Sequence, residues 1–471
     1  MKKIYFLLIF FLYLKVPYDT DLGWHLRYGQ QIFFHHQVFK TNQIGYFLAN
    51  YSWKQAYSLY QLTTFAIFHY FSFAGLIIAN AFLMLAIFYP FFALYRKRDK
   101  LTLLFSSIFL VVSFQSIVGL GWRSQLFTLL GFSLVYYLIL KTGRKKYFFL
   151  PLVFFLWAIL HGGFVFGFAL LILCLLELIL QKNKKQAQGL AAALFLSFLV
   201  TLANPFGFGL YQEIYRHTWY PLNKLILEWT PPDKFGLLIV FASSCLTLLA
   251  LLAKRGSVKI LKRNNFFLLS SWLVFLFLSL KARRNLAFFS LSSVHLWLQL
   301  FKRPAFLNKK LANPTFAIIL GSVFVYKAFR LPSLKTNWNT LCQASFWPPP
   351  CQATEFLKEK PENFCQNLFN AYEWGGYLSW HLPNKKTFID GRMPAWATDN
   401  EKSPYTTYLE ILQTQIGFNK KLIDYKTDCL LIGNGTFLDL ELKKHPYLHP
   451  WKKIYEDQQA VIYQYQEIIP N

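Results

Sequence analysis

Acidic residues are scarce in this chain: 22 Asp and Glu stand against 49 Lys and Arg, and only 15% of its 471 residues are charged. With 55% hydrophobic and 20% aromatic residues, the composition exceeds what a soluble core needs. The apolar runs are long and the charges are bunched between them, which predicts a polytopic membrane protein. A net charge of +27 would ordinarily suggest nucleic acid. Here much of the basic excess sits in short clusters at the ends of apolar segments, so it reads as topology signalling, and no nucleic-acid partner is expected. Other absences narrow the chemistry. There is no GxxxxGK phosphate loop, and no GxGxxG in a dinucleotide-binding context, so neither a nucleotide nor a redox cofactor is expected. No small-residue cleavage site follows the run from Ile4 to Leu14, which reads as an uncleaved first span.

Cysteines number six. Cys174 and Cys245 fall inside apolar runs and read as packing residues. Cys342, Cys351, Cys365 and Cys429 match no zinc spacing, so disulfides outside the membrane are expected, with the connectivity open.

Basic clusters at Lys2-Lys3, Arg96-Lys97-Arg98, Arg144-Lys145-Lys146, Lys184-Lys185, Lys254-Arg255, Lys262-Arg263, Lys302-Arg303 and Lys309-Lys310 mark one side of a membrane. They predict about eleven helices, near 4–16, 73–95, 101–119, 125–140, 147–161, 164–180, 187–203, 236–253, 266–281, 285–301 and 315–330. The fold class is therefore a mainly α, polytopic transmembrane bundle over 1–330, with its first external loop at about 17–72. After about residue 331 the long apolar runs stop. Residues 331–471 read as one extracytoplasmic α/β domain, with strands near 387–390 and 429–432, helical spacing over 405–422 and a hairpin over 451–465. Asn434-Gly435-Thr436 reads as a strand-to-helix turn. The chain is expected in the cytoplasmic membrane, N-terminus inside and C-terminal domain outside.

On this topology the polar residues embedded in apolar sequence collect on the outer side. They are Asp19, Asp21, Trp24 and His25 after Pro17, with Trp53 later in the same loop. Arg123, His161, Asn204, Glu228 with Trp229, and Arg283-Arg284-Asn285 follow. Each has an ordinary structural account: a helix cap, a packed histidine, a snorkelling arginine, a helix stop or an interfacial anchor. Their convergence on one face favours a shared site, because ionisable groups at membrane depth are expensive. Asp19 is the better cap candidate. Asp21, four residues before His25 on a helix face, is the better base. Any of Arg123, Arg283 and Arg284 would bind a phosphate bidentately. Asp19, Asp21 and Glu228, with His25, carry the oxygen and nitrogen ligands that a divalent cation such as Mg or Mn would need. An outward site has no cytosolic nucleotide sugar within reach, so the donor expected is lipid-linked, held against membrane lipids in an aromatic groove.

The run Asp19-Thr20-Asp21-Leu22-Gly23-Trp24-His25-Leu26-Arg27-Tyr28-Gly29, followed by Tyr51-Ser52-Trp53, resembles the first external loop of the GT-C class of membrane glycosyltransferases. The chain looks like a family of bacterial polytopic proteins of that class. It shares with them, in order, Trp157…His161-Gly162-Gly163-Phe164, Asn204-Pro205-Phe206-Gly207, Glu228-Trp229-Thr230-Pro231-Pro232, Arg283-Arg284-Asn285, and Glu373-Trp374-Gly375-Gly376-Tyr377 with Phe388-Ile389-Asp390-Gly391-Arg392. The resemblance implies polyprenyl-phosphate-sugar donors, a glycan, lipid or protein acceptor, and an acid of the first loop as base or metal ligand. Asp21 matches that position best and Asp19 second. Relatives often carry two tryptophans before the histidine, where this chain has Gly23-Trp24. The Glu373–Tyr377 stretch is also loosely similar to the acceptor motif of oligosaccharyltransferase catalytic subunits. Two other functions stay open: a transporter or flippase of lipid-linked glycans, and a metal-independent enzyme similar to O-antigen ligases.

Overall fold

The computed structural model describes residues 2–95, 98, 100–141, 145–220, 226–252, 266–300, 332–343, 348–396 and 402–467. The span expected at 315–330, the boundary at 330/331 and several basic clusters, among them Lys254-Arg255 and Lys302-Arg303, lie outside the described residues.

The chain is mostly helical with one small sheet. From the N-terminus run α1 (Lys2–Leu12), α2 (Leu22–His35), α3 (Ser58–Tyr95), α4 (Lys100–Ser113), α5 (Gln115–Val118), α6 (Gln125–Leu140) and α7 (Leu150–Leu160). Then come α8 (Val165–Leu180), α9 (Lys184–Thr201), α10 (Gly209–Trp219), α11 (Lys234–Leu252), α12 (Phe266–Lys281) and α13 (Leu286–Leu300). The expected count of eleven spans is not supported. Among the described residues, three segments are long and apolar enough to cross a bilayer: Ser58–Tyr95, Gly162–Leu180 and Leu227–Leu252. Apolar helices such as Gln125–Leu140 and Phe266–Lys281 have 16 residues each, about 24 Å at 1.5 Å per residue, short of a hydrocarbon core of about 30 Å. An apolar run also need not be one helix. The run at 101–119 breaks between Ser113 and Gln115, and that at 147–161 begins as a 3₁₀ turn over Lys145–Phe149. Residues 58–71, at the end of the expected first external loop, form the first part of α3, set off by a non-helical Ser72.

α13 is buried almost all round and forms the centre of the bundle, packed on α12, α11 and α4. Apolar side chains on α11, such as Phe241 and Leu249, stay exposed, the surface expected of helices that face lipid.

The sheet runs β1 (Asn367–Asn370), β2 (Lys386–Thr387), β3 (Cys429–Gly433), β4 (Trp451–Glu456) and β5 (Ala460–Tyr465), in the order β2-β1-β3-β5-β4. β1 is parallel to β2 and β3, while β5 lies antiparallel between β3 and β4. The 451–465 hairpin and the turn at Asn434-Gly435-Thr436 lie where expected; the 405–422 segment is two helices, Pro404–Leu412 and Phe418–Asp424, parted at a left-handed Gly417. Disulfides join Cys342 to Cys351 and Cys365 to Cys429.

Two features fix the first loop against the rest. The Tyr18 N–H donates to the Leu120 carbonyl at 2.9 Å, and Gly121 lies so close to the Val16 carbonyl that a Cβ would meet it at 2.5 Å. The segment leaving α1 is thereby laid along the turn that enters α6. On the other side the loop joins the sheet edge: Tyr46 N–H donates to Thr387 O, and Thr387 N–H to Ile44 O. Trp24, Tyr28, Phe47 and Trp53 share one hydrophobic core with Phe388, Ile389, Met393 and Trp396.

Candidate functional site

The approach of residues 16–18 to 120–121 sets Asp19 beside Arg123, 104 positions on. Arg123 Nε lies 3.2 Å from Asp19 Oδ2, and its Nη1 lies 2.7 Å from Glu228 Oε1. The side chains of Asp19 and Arg123 are each 7% exposed. These are charge contacts rather than aligned hydrogen bonds, since neither N–H points squarely at its oxygen. Gln125 Nε2 donates to the other Glu228 oxygen at 2.9 Å. Burial opposes ionisation of Glu228, but Arg123 and then Arg284 outweigh it and hold the carboxyl down at about 2.

Asp19 does not cap α2 as expected. Asp21 occupies the position before Leu22, without a side-chain cap, and Asp19 Oδ1 accepts only the Asp21 N–H, at 3.2 Å. Arg123 holds the other oxygen, which keeps Asp19 directed away from the helix end. The Asp21 carboxylate accepts Trp24 Nε1–H at 2.9 Å. Burial, then the negative Asp19, push the Asp21 carboxyl up to about 8. Gly391 from the C-terminal part closes over it: a Cβ there would stand 1.8 Å from Asp21 Oδ1.

His25 follows one turn later, its N–H bonded to the Asp21 carbonyl, but its ring goes elsewhere. It lies edge-on to Tyr57 and Tyr60 and against Trp24, 3% exposed, with Nδ1 unpartnered among the described residues. Burial is the largest cause holding its pKa well below the usual range, so it is neutral. Trp53 is 5.7 Å from Trp24 and lies under the Arg392 guanidinium.

The second wall comes from the turns 226–230 and 283–285, joined by Arg283 N–H donating to Thr230 O. This join sets Arg284 over the Trp229 ring at 4.5 Å, with Glu228 beside both. Arg283 turns away to Asp233, at 3.6 Å. Asn285 donates to Leu278 O and closes the end of α12, while Asn204 spends its amide on Thr201 O, Gly207 O and Phe206 N–H within its own loop. His161 Nδ1 accepts from Gly163 N–H and pairs with Thr128 Oγ1, which itself accepts Trp157 Nε1–H. A neutral His161 therefore carries its proton on Nε2. Its ring lies 5.7 Å from that of Tyr57.

The structure thus draws Asp19, Asp21, Arg123, Glu228, Trp229 and Arg284 into one polar cluster, with Trp24, Trp53 and His161 around it. Arg283, Asn204 and Asn285 have local structural partners instead. Several neighbours were not named as site residues from the sequence. Asp390 and Arg392 form a fully buried ion pair at 2.6 Å, and Arg392 also donates to Asn42 and Tyr28. On α10, Glu213 pairs with Arg216 and His217, and burial lifts the Glu213 carboxyl to about 7. Three titratable residues at i, i+3 and i+4 on a short amphipathic helix were the available signal.

The suggested cation ligands do not fit a divalent ion as they are arranged. The Arg123 guanidinium stands between Asp19 and Glu228, and Asp21 faces an indole N–H. Among the described residues, no three His, Cys, Asp or Glu groups cluster as a metal site.

No protein-family model and no curated protein sequence matches the chain. Among solved structures, the fold is similar to that of the archaeal oligosaccharyltransferase AglB from Archaeoglobus fulgidus, in complex with an inhibitory peptide and a dolichol-phosphate. The TM-score is 0.55, over 100% of this chain and 75% of that one, with 11% sequence identity. At that identity the likeness is one of fold.

Proposed function

We propose that the protein is a membrane glycosyltransferase that moves a sugar from a polyprenyl-phosphate-linked donor to a hydroxyl or amide acceptor at the outer face of the cytoplasmic membrane. The observation that carries this reading is an acid with a raised pKa, Asp21, in one cluster with the buried cation Arg123 and the half-buried Arg284. Glycosyl transfer needs both. The acceptor oxygen or nitrogen forms a bond to the anomeric carbon as its proton passes to Asp21, and a base poised near working pH is the efficient kind. The bond from the anomeric carbon to the donor phosphate breaks, and its electron pair leaves on the phosphate oxygen. Arg284, half-buried and stacked on Trp229, is placed to meet that charge, with the misaligned N–H groups of Arg123 behind it. His161, presenting Nε2–H, serves as a neutral donor to the sugar or the phosphate. No step is assigned to a metal. The AglB complex, with its dolichol-phosphate and peptide, supports a lipid-linked donor and a separate acceptor in general terms.

The test is a deletion strain complemented with wild-type or Asp21→Asn protein, with lipid-linked sugars and surface glycans profiled. Expected are a missing glycan modification and an accumulated donor in the deletion, unrestored by Asp21→Asn at normal membrane levels. Full restoration by that variant would sink the assignment. Donor accumulating only on the inner leaflet would indicate a transporter instead.

A further inference from the structure

Helix α2 has a second polar face. Asp21, Trp24, His25 and Tyr28 serve the cluster described above. Arg27, Gln30, Gln31 and Phe34, at the same helical spacing but turned away, line a cavity of about 430 Å³, closed on its far side by residues 383–386. The volume falls in the usual range for small-molecule sites.

Its charge has one sign. Arg27, Lys385 and Lys386 line it, and among the described residues no carboxylate does. Elsewhere in the C-terminal part, several lysines find acids: Lys358 pairs with Glu355, Lys421 with Glu410, Lys443 with Asp439. Here, among the described residues, Arg27 reaches only the Pro383 carbonyl at 3.4 Å, and Lys385, 8% exposed, donates to the Phe364 carbonyl. Lys386 is exposed and has no acidic partner among the described residues. Glu362 and Asp428 act on Lys385 from outside the lining, so Arg27 and Lys386 carry the positive potential in this concave site, which an anion relieves.

The remaining lining narrows the anion. Gln30 and Gln31 each offer a donor pair and an acceptor, and Gln43, whose amide donates to Thr41, keeps its acceptor. Inorganic phosphate at neutral pH carries too few protons to serve three amide oxygens, whereas sugar hydroxyls donate and accept. The Phe34 and Phe39 rings supply flat apolar faces for the C–H side of a sugar ring. We propose that the cavity between α2 and residues 383–386 binds an acidic saccharide, a sugar unit bearing a carboxylate or phosphate within the glycan on which the protein acts. Calling that glycan a substrate rests on the transferase reading; binding itself does not.

The test is equilibrium titration of the full-length protein in detergent micelles with trigalacturonate, maltotriose and inorganic phosphate as separate probes. Trigalacturonate should bind, maltotriose should bind at least tenfold more weakly, and added salt should weaken the former. The Arg27→Gln/Lys386→Gln double variant should lose tenfold or more in trigalacturonate affinity, with an unchanged thermal midpoint. Asp21→Asn should bind as wild type, so failure of the transferase reading leaves this result intact. No trigalacturonate binding, full binding by the double variant, equal affinity for phosphate, or displacement by phosphatidylglycerol vesicles would each overturn the assignment.

Discussion

Burial and the adjacent Asp19 raise the Asp21 carboxyl to about 8, so the folded protein keeps a proton that the unfolded chain releases near pH 4. The stability contributed by the neutral carboxyl is complete below about pH 4 and is lost as pH rises through about 8. On the proposed mechanism, transfer depends on pH in the opposite sense, because the base must be ionised. Initial rates should climb to a plateau above about pH 8, while the thermal midpoint declines over the same interval. Asp21→Asn should flatten the decline and cost about a hundredfold or more in rate. A rate profile flat from about pH 6 to 9 would remove Asp21 as the base. Arg123 has a different task. Replacing it with Met strands the buried Asp19 without its cation and leaves Glu228 to Arg284 alone, a loss of about 3–5 kcal/mol for a buried pair. Adding Asp19→Asn to Arg123→Met should recover part of that loss in thermal unfolding, since one stranded charge is then gone. An equal or larger loss in the double variant would show that Arg123 acts through packing alone.

At the scale of elements, α2 is held where it is by glycines rather than by large side chains. The Gly375–His381 helix lies so near that a Cβ on Gly376 would stand 2.1 Å from the Thr20 carbonyl, and one on Gly23 would stand 2.0 Å from the Gly376 carbonyl. Backbone does not yield cheaply, so Gly376→Ala should separate the two helices and cost about 1–3 kcal/mol, read as a lower melting temperature and faster proteolysis of the first loop. Gly391 faces a movable atom, the Asp21 carboxylate. Gly391→Ala should therefore cut transfer by more than its effect on melting would explain; the reverse would place Gly391 in the scaffold alone. These close approaches also show what the sequence reading reached. The Gly375-Gly376 and Asp390-Gly391-Arg392 motifs were visible as patterns, as were Asp21, Arg123 and Glu228 as polar groups embedded in apolar sequence. That Asp19 would meet Arg123 was not legible, because the join is made by backbone contacts between Val16–Tyr18 and Leu120–Gly121. Arg283 and Arg284 are neighbours of the same type; only the fold sends one to Asp233 and the other to Trp229. The span count failed for a related reason: hydropathy measures how apolar a run is, and leaves open where the backbone turns, as at Ser113–Gln115.

Over the whole molecule, the cluster around Asp21 is assembled from both ends of the chain, so its integrity depends on the small sheet. Phe388, Met393 and Trp396 pack in one core with Trp24 and Trp53, and Arg392 sits in that core between Tyr28, Trp53 and Trp396. Cys365–Cys429 joins the segment entering β1 to the start of β3 and closes a loop with a sequence separation of 64. Cys342–Cys351 spans only 9. Chain-entropy arguments put the longer cross-link at about 4 kcal/mol and the shorter at about 2.5 kcal/mol. Replacing Cys365 and Cys429 with Ala should therefore lower the thermal midpoint more than replacing Cys342 and Cys351. Because the sheet carries Gly391 to Asp21, transfer activity after stepwise heating should disappear at the lowered temperature, while the helices of the bundle persist by circular dichroism. Activity outlasting the sheet in that variant would mean that residues 1–300 hold the reactive geometry unaided, and the contacts of Gly391 and Arg392 would then be packing without a part in the reaction.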